Sequence, residues 1–190
     1  DQGMTETVHL YFVAIAIAAA ISAGLTPLVR LCAIRLDLLD HPASSVKTHT
    51  KAVPALGGVA IWLGFAASLL AIRFLTTFPT GTLHSLRAVV IGSLAVFLLG
   101  VIDDVKKPAG LNFRVKFVGQ AVAAAALIHF GIRIHFITPE YLATALTVFW
   151  VVGITNAFNI IDIMDGLCAT QAIVAAAGFL LIALPSEQIY

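Results

Sequence analysis

The chain has 190 residues, of which 60% are hydrophobic and only 11% charged, with a net charge of +1 and a mean hydropathy of +1.01. Soluble domains carry ~25% charged residues, so this composition excludes an ordinary soluble domain and identifies an integral membrane protein. Near-neutral charge offers no basic surface, so no nucleic-acid partner is expected, and Cys32 and Cys168 lack metal-ligand spacing and need form no disulfide.

A membrane-spanning helix needs ~20 mostly apolar residues, and apolar runs of that order predict an all-α, polytopic membrane protein with six spans. In chain order they fall at about Val8–Val29, Pro54–Leu75, Arg87–Ile102, Phe113–Phe130, Tyr141–Thr155 and Ala169–Leu184. A polar segment, Arg30–Val53, separates the first two, and a Thr/Pro/Gly-containing loop, Thr76–Leu86, the next two. No internal repeat or low-complexity linker divides the chain, so residues 1–190 are expected to form a single transmembrane domain.

Six spans alternate their loops between two sides. Arg30–Val53, Asp103–Asn112 and the region around Asn156–Asp165 share one side, with Arg30, Arg35, Lys47, Lys51, Lys106, Lys107, Arg114 and Lys116 in or beside them. The opposite side has only Arg73, Arg87 and Arg133. Basic loops stay in the cytoplasm, so the first side is expected there and the amino terminus outside the cell membrane. Every polar cluster of interest falls on that one face.

The first cluster, within Asp40–Gly58, offers Lys47, His49 and Lys51 ahead of Pro54 and the pair Gly57–Gly58. Cations suit a diphosphate, and paired glycines let backbone approach a ligand. The same residues also serve membrane orientation and close helix packing. The second cluster, Asp103–Asp104, closes the uncharged run from Ala88 to Ile102 and precedes Lys106 and Lys107. Paired carboxylates there suit a divalent metal or a phosphate-handling site, although a solvated helix end also accounts for them. Lys116 and Gln120, four apart, share a face of the following helix, directed to the same pocket or snorkelling to the interface.

The third cluster spaces Asn156, Asn159, Asp162 and Asp165 every third residue through apolar sequence ahead of Gly166 and Leu167. In an α-helix such positions drift by about a sixth of a turn per step, whereas in a 3₁₀ segment they eclipse onto one face. Interhelical hydrogen bonding explains one such group well and four poorly.

Lys47-x-His49 with Pro54-x-x-Gly57-Gly58, Asp103-Asp104, Lys116-x-x-x-Gln120 and Asn156-x-x-Asn159-x-x-Asp162-x-x-Asp165-Gly166-Leu167 together resemble the polyprenyl-phosphate N-acetylhexosamine-1-phosphate transferase family, glycosyl transferase family 4. The spelling is closer to its GlcNAc-1-phosphate branch than to its pentapeptide branch. One departure is Ile163, where the family's Asp-Gly-x-Asp-Gly carries a glycine. The resemblance implies a fold of about ten spans, of which this chain is expected to be an amino-terminal portion inactive by itself.

The activity implied is transfer of a sugar-1-phosphate from a UDP-sugar to polyprenyl phosphate with release of UMP. Such a reaction supplies precursors of peptidoglycan, lipopolysaccharide or other envelope polysaccharides. Asp103 and Asp104 are then expected at the catalytic centre, with Asn159 and Asp104 on Mg²⁺ (or Mn²⁺). Lys47, His49, Lys51, Lys116, Asn156, Asp162 and Asp165 are expected on the substrates, within a bilayer and with a homodimer left open. Rival readings are an ion- or proton-coupled transporter and an accessory membrane protein. A transporter's acids belong near the bilayer midplane, in repeated halves.

Overall fold

The computed structural model describes residues 2–40, 52–76, 82–107, 109–162, 164 and 166–186. It is all-α with one small ribbon. The helices are α1 (Gln2–Arg35), α2 (Gly57–Leu75), α3 (Thr82–Val105), α4 (Phe113–His129), α5 (Glu140–Ile161) and α6 (Leu167–Ser186). Among the described residues, four helices, over Val8–Arg35, Gly57–Leu75, Leu86–Val105 and Glu140–Ile161, are long and apolar enough to cross a membrane. A shorter apolar stretch occupies Leu167–Ala183. α4, with 17 residues and two cations in its first turns, falls below that length.

Most helices run a few residues past the apolar runs, and two of these extensions bear on the site. α1 continues past Val29 to Arg35, and α5 continues past Thr155 to Ile161, so Asn156 and Asn159 lie on α-helix and Asp162 caps its end. Hydropathy falls before the backbone hydrogen bonds stop, and polar residues in a last turn do not break a helix. What ends α1 is local: Leu38 N–H donates to Ala33 O at 2.9 Å and Asp37 N–H to Ile34 O at 3.2 Å, with Asp37 at φ 55°. This is the left-handed cap in which Asp is tolerated, and it turns the chain into β1 (Leu39–Asp40). β1 pairs antiparallel with β2 (Val53–Pro54), a ribbon too short to leave a periodic signal in sequence.

Packing follows membrane rules, with small residues inside and large ones outside. Ala60, Gly64 and Ser68, four apart on α2, are buried against α1. Ser68 Oγ donates to Ala14 O at 2.9 Å, and a Cβ at Gly64 would lie 2.7 Å from Ala18 O. Such a stripe lets two backbones approach where no aqueous hydrophobic effect drives helices together. Trp62 stacks on Phe97 at 4.9 Å to join α2 to α3. Gly92 and Gly119 receive Leu127 and Leu99 respectively, joining α3 to α4. Phe12, Phe74, Phe149, Trp150 and Phe179 stay exposed on the outside, as lipid contact requires. α6 touches the bundle thinly, through α5.

Candidate active site

Successive residues on a helix point about 100° apart, so Asp103 and Asp104 at the end of α3 face different neighbours. Asp104 Oδ2 accepts the Leu56 N–H at 3.2 Å and its Oδ1 pairs with Lys107 Nζ at 2.8 Å. Leu56 precedes α2 with φ 70°, a left-handed conformation unusual for a leucine. The bond therefore clamps the end of α3 to the start of α2, where the helix dipole favours a negative group.

Beside this clamp opens a cavity of about 670 Å³. Its wall includes Asp40 from the ribbon, Gly57 and Gly58 from the first turn of α2, Asp104 and Lys107, and Asp162, Met164 and Gly166 from the turn between α5 and α6. Gly166 has φ 80°, which glycine adopts without the Cβ clash, and α6 begins at the next residue. Burial disfavours the charge on Lys107. The hydrogen bond and attraction of Asp104, with Asp40 and Asp103 adding to it, outweigh that effect and raise its pKa above the ordinary lysine value.

Asp103 turns the other way and does not line the cavity. Its Oδ1 accepts the Leu111 N–H at 2.7 Å and its Oδ2 pairs with Lys116 Nζ at 2.7 Å. Gly110, at φ 65°, makes the turn that brings Leu111 back, and a Cβ there would lie 3.0 Å from Asp103 Oδ1. One turn further along α4, Gln120 is buried, and its Oε1 accepts from Asn156 Nδ2 at 2.7 Å. Asn156 Nδ2 also donates to Val152 O at 2.8 Å. Asn112 starts α4 by accepting the Arg114 N–H at 3.0 Å. Gly131 ends it at φ 84°, with Ile132 N–H on Leu127 O at 2.9 Å.

Of the residues singled out in the sequence, Asp104 and Asp162 share the cavity wall, whereas Asp103, Lys116 and Asn156 meet α-helical neighbours behind it. Asn159 is exposed on α5, just under one turn before Asp162, and is not part of the wall. Lys47, His49, Lys51, Ile163 and Asp165 lie outside the described residues. Two charged wall residues were given no role beforehand. Asp40 arrives through the ribbon, and Lys107 is distinguished from Lys106 only by its i, i+3 spacing to Asp104. That spacing is readable in sequence; the ribbon is not.

Among the described residues, no group of three or more His, Cys, Asp or Glu side chains is placed to hold a metal ion. Asp104 and Asp162 nevertheless supply hard oxygen donors to one cavity, and Mg²⁺ commonly takes one or two carboxylates and completes its shell with water and substrate phosphates. The donor chemistry fits that ion.

A multi-pass helical membrane protein with a polar, charge-lined cavity at one end of its bundle is the class these features define. The sequence profile described as glycosyl transferase family 4 matches residues 86–190, and the chain belongs to that family. It is 32% identical over 174 residues to a Bacillus subtilis (strain 168) protein named "Probable undecaprenyl-phosphate N-acetylglucosaminyl 1-phosphate transferase", a match covering 87% of the chain and 46% of the relative. It is 35% identical over 157 residues to the undecaprenyl-phosphate alpha-N-acetylglucosaminyl 1-phosphate transferase of Thermotoga maritima, covering 78% of the chain and 45% of the relative. A phospho-N-acetylmuramoyl-pentapeptide-transferase of Lactobacillus gasseri is 28% identical over 155 residues, covering 72% and 48%. The chain thus spans about half the length of these curated relatives. All three are named as transferases. No solved structure matches the chain at a significant level.

Proposed function

We propose that the protein to which this chain belongs transfers an N-acetylhexosamine-1-phosphate from a UDP-sugar to polyprenyl phosphate, in the cell membrane with the cavity facing the cytoplasm. The observation that carries this reading is the cavity itself, where Lys107, Asp104 and Asp162 meet the glycine-bearing start of α2. Membership of glycosyl transferase family 4, and the activities named for its relatives, support the same reading.

In the reaction, an oxygen of the lipid phosphate attacks the phosphorus attached to the sugar. The bond from that phosphorus to the bridging oxygen breaks, and UMP departs with it. A phosphate monoester has a second pKa of ~6 and is largely dianionic at neutral pH, so the attacking group needs no strong base. Positioning and charge neutralisation are the main requirements. Lys107 presents an ammonium to the diphosphate, and Asp104 orients it while fixing the start of α2 beside it. Gly57 and Gly58, with open space where a Cβ would project, let the substrate approach the first backbone N–H groups of α2. Mg²⁺ would be held by Asp104 and Asp162, and when bound it supplies neutralisation of the diphosphate charge.

The chain spans about half the length of its relatives, so this reading assigns it part of the site and expects no turnover from the 190 residues alone. The test uses membranes carrying the natural full-length protein, supplied with UDP-GlcNAc, UDP-GalNAc or UDP-MurNAc-pentapeptide. UMP release should require both polyprenyl phosphate and Mg²⁺ and should be largest with UDP-GlcNAc. No lipid-dependent UMP release from any of the three donors would refute the reading.

A further inference from the structure

The connection from α3 to α4 carries more positive charge than its own carboxylates neutralise. From Asp103 to Lys116 the chain sets Lys106, Lys107, Arg114 and Lys116 against two acids. Lys107 is taken by Asp104 at 2.8 Å and Lys116 by Asp103 at 2.7 Å. Among the described residues no carboxylate pairs with Lys106 or Arg114, and both are exposed. The Arg114 guanidinium lies 5.7 Å from the centre of the Phe113 ring, a contact that settles the side chain without cancelling its charge.

Arg114 also lines a groove of about 370 Å³ between α3 and α4, completed by Leu99, Val115, Val118 and Gly119. Every lining residue except the arginine is apolar. A Cβ at Gly119 would lie 2.8 Å from Leu99 Cδ1, so the glycine lets Leu99 settle against α4 as the floor. Val115 and Val118 are exposed, and the groove opens outward to lipid. Leu99 and Lys106 are seven residues apart, and Lys106 N–H still bonds to Ile102 O at 3.2 Å, so Lys106 stands on the Leu99 side of α3. Arg114, in the first turn of α4, lies at the same end of the bundle. The groove shares no lining residue with the cavity of Asp104 and Asp162, so its occupant is not placed to react.

We propose that this groove holds an acyl chain of an anionic phospholipid whose headgroup phosphate is bound by Lys106 and Arg114. Charge alone only draws such side chains to the interface. The groove adds a place for the chain, and an apolar slot topped by two unneutralised cations is complementary to a lipid with a net negative head. A zwitterionic phospholipid brings its own ammonium to the same cations and gains less. The inference concerns a lipid partner and does not rest on the functional reading above.

The test uses the full-length protein in phosphatidylcholine nanodiscs containing phosphatidylglycerol with a photoreactive acyl chain, and labelled residues are mapped by mass spectrometry. Label should concentrate within residues 99–119, whereas phosphatidylcholine carrying the same photoreactive chain should leave them unmarked. A cation at the membrane surface is worth about fivefold in affinity for an anionic lipid. Lys106→Gln or Arg114→Gln should therefore raise the phosphatidylglycerol fraction for half-maximal labelling about fivefold, and the double variant about 30-fold. Val118→Trp fills the groove from an exposed position and should remove the label with little change in the unfolding midpoint.

Equal labelling by the two phospholipids overturns the proposal, and so does labelling that the double charge variant leaves unchanged. Displacement of the label by decaprenyl phosphate at a lower fraction than by phosphatidylglycerol would also overturn it, giving the groove to a prenyl lipid. Should Val118→Trp not fold, the charge variants at exposed positions decide the question alone. None of these readings depends on UMP release, so failure of the functional reading and failure of this one are separate results.

Discussion

Asp103 and Asp104 are chemically identical neighbours, each holding one backbone N–H and one lysine, and the structure points them at different parts of the chain. Asp104 stands at the rim of an open cavity with a lysine and a helix start beside it. Asp103, exposed to a similar extent, joins a seam of contacts that runs along α4 to α5. A rotation of about 100° from one residue to the next is enough to put one carboxylate on the cavity wall and the other beside α4. Paired carboxylates at a helix end therefore do not automatically form a bidentate site. Which one faces the ligand depends on where the next loop goes, and here Gly110 sends that loop over Asp103.

The comparison is broken most directly at Asp104. Asp104→Asn should lower kcat/KM for UMP release by about 10²–10³-fold, the usual loss when a preorganised polar group is removed from a reacting centre. Its amide can retain a hydrogen-bond acceptor for the Leu56 N–H, so the thermal unfolding midpoint should change little beside the rate. A variant within about threefold of the parent rate would show that the cavity face is not the reacting one.

A smaller, purely structural effect belongs to the contact between α1 and α2, away from both aspartates. Gly64→Ala brings a Cβ to 2.7 Å from Ala18 O, a backbone atom that cannot swing aside. Parting the two helices should cost about 1–3 kcal/mol, read as a lowered unfolding midpoint in detergent with an unchanged KM for the UDP-sugar. An unchanged midpoint would mean that the stripe of Ala60, Gly64 and Ser68 is not a close contact in the membrane.

Gly110 and Gly131 sharpen the picture of the seam. Both have positive φ, so alanine at either should cost about 1–2 kcal/mol from backbone strain. Only at Gly110 does the new Cβ also press on Asp103 Oδ1, whereas Gly131 faces open space. Gly110→Ala should therefore be the more destabilising of the two by equilibrium or thermal unfolding. Equal effects would indicate that the loop yields without disturbing Asp103.

Much of this arrangement was legible beforehand because apolar runs mark helices and their alternation brings loops to one side. The convergence of the segment before α2, the end of α3 and the end of α5 follows from counting spans. Helix ends were less legible, since α1 and α5 continue through residues whose side chains are polar while their backbone bonds persist. The division of labour between Asp103 and Asp104 was not legible at all, because it is decided by a left-handed glycine and a lysine thirteen residues beyond Asp103 on another helix. Asp40 escaped for a similar reason. Its place in the wall comes from pairing with Val53 across a long sequence separation, and two-residue strands carry no period to read.

The smallest effect concerns pH at the cavity rim. Lys107 has its pKa raised, because the bond to Asp104 outweighs the burial that disfavours its charge. A lysine so shifted contributes stability in full below its unfolded pKa of ~10.4 and loses it only as pH rises through the still higher folded value. The unfolding midpoint of the parent minus that of Lys107→Met should then be flat between pH 6 and pH 9 and should shrink only in strongly alkaline solution. The sign is fixed by the partner: if Lys107 were held by burial alone, its pKa would fall below the ordinary value and the difference would already change on the approach to pH 9. A profile flat to pH 9 that then shrinks in strongly alkaline solution is the one expected if the Asp104–Lys107 pair persists in solution, and a profile that stays flat there too would show that Lys107 has no such partner.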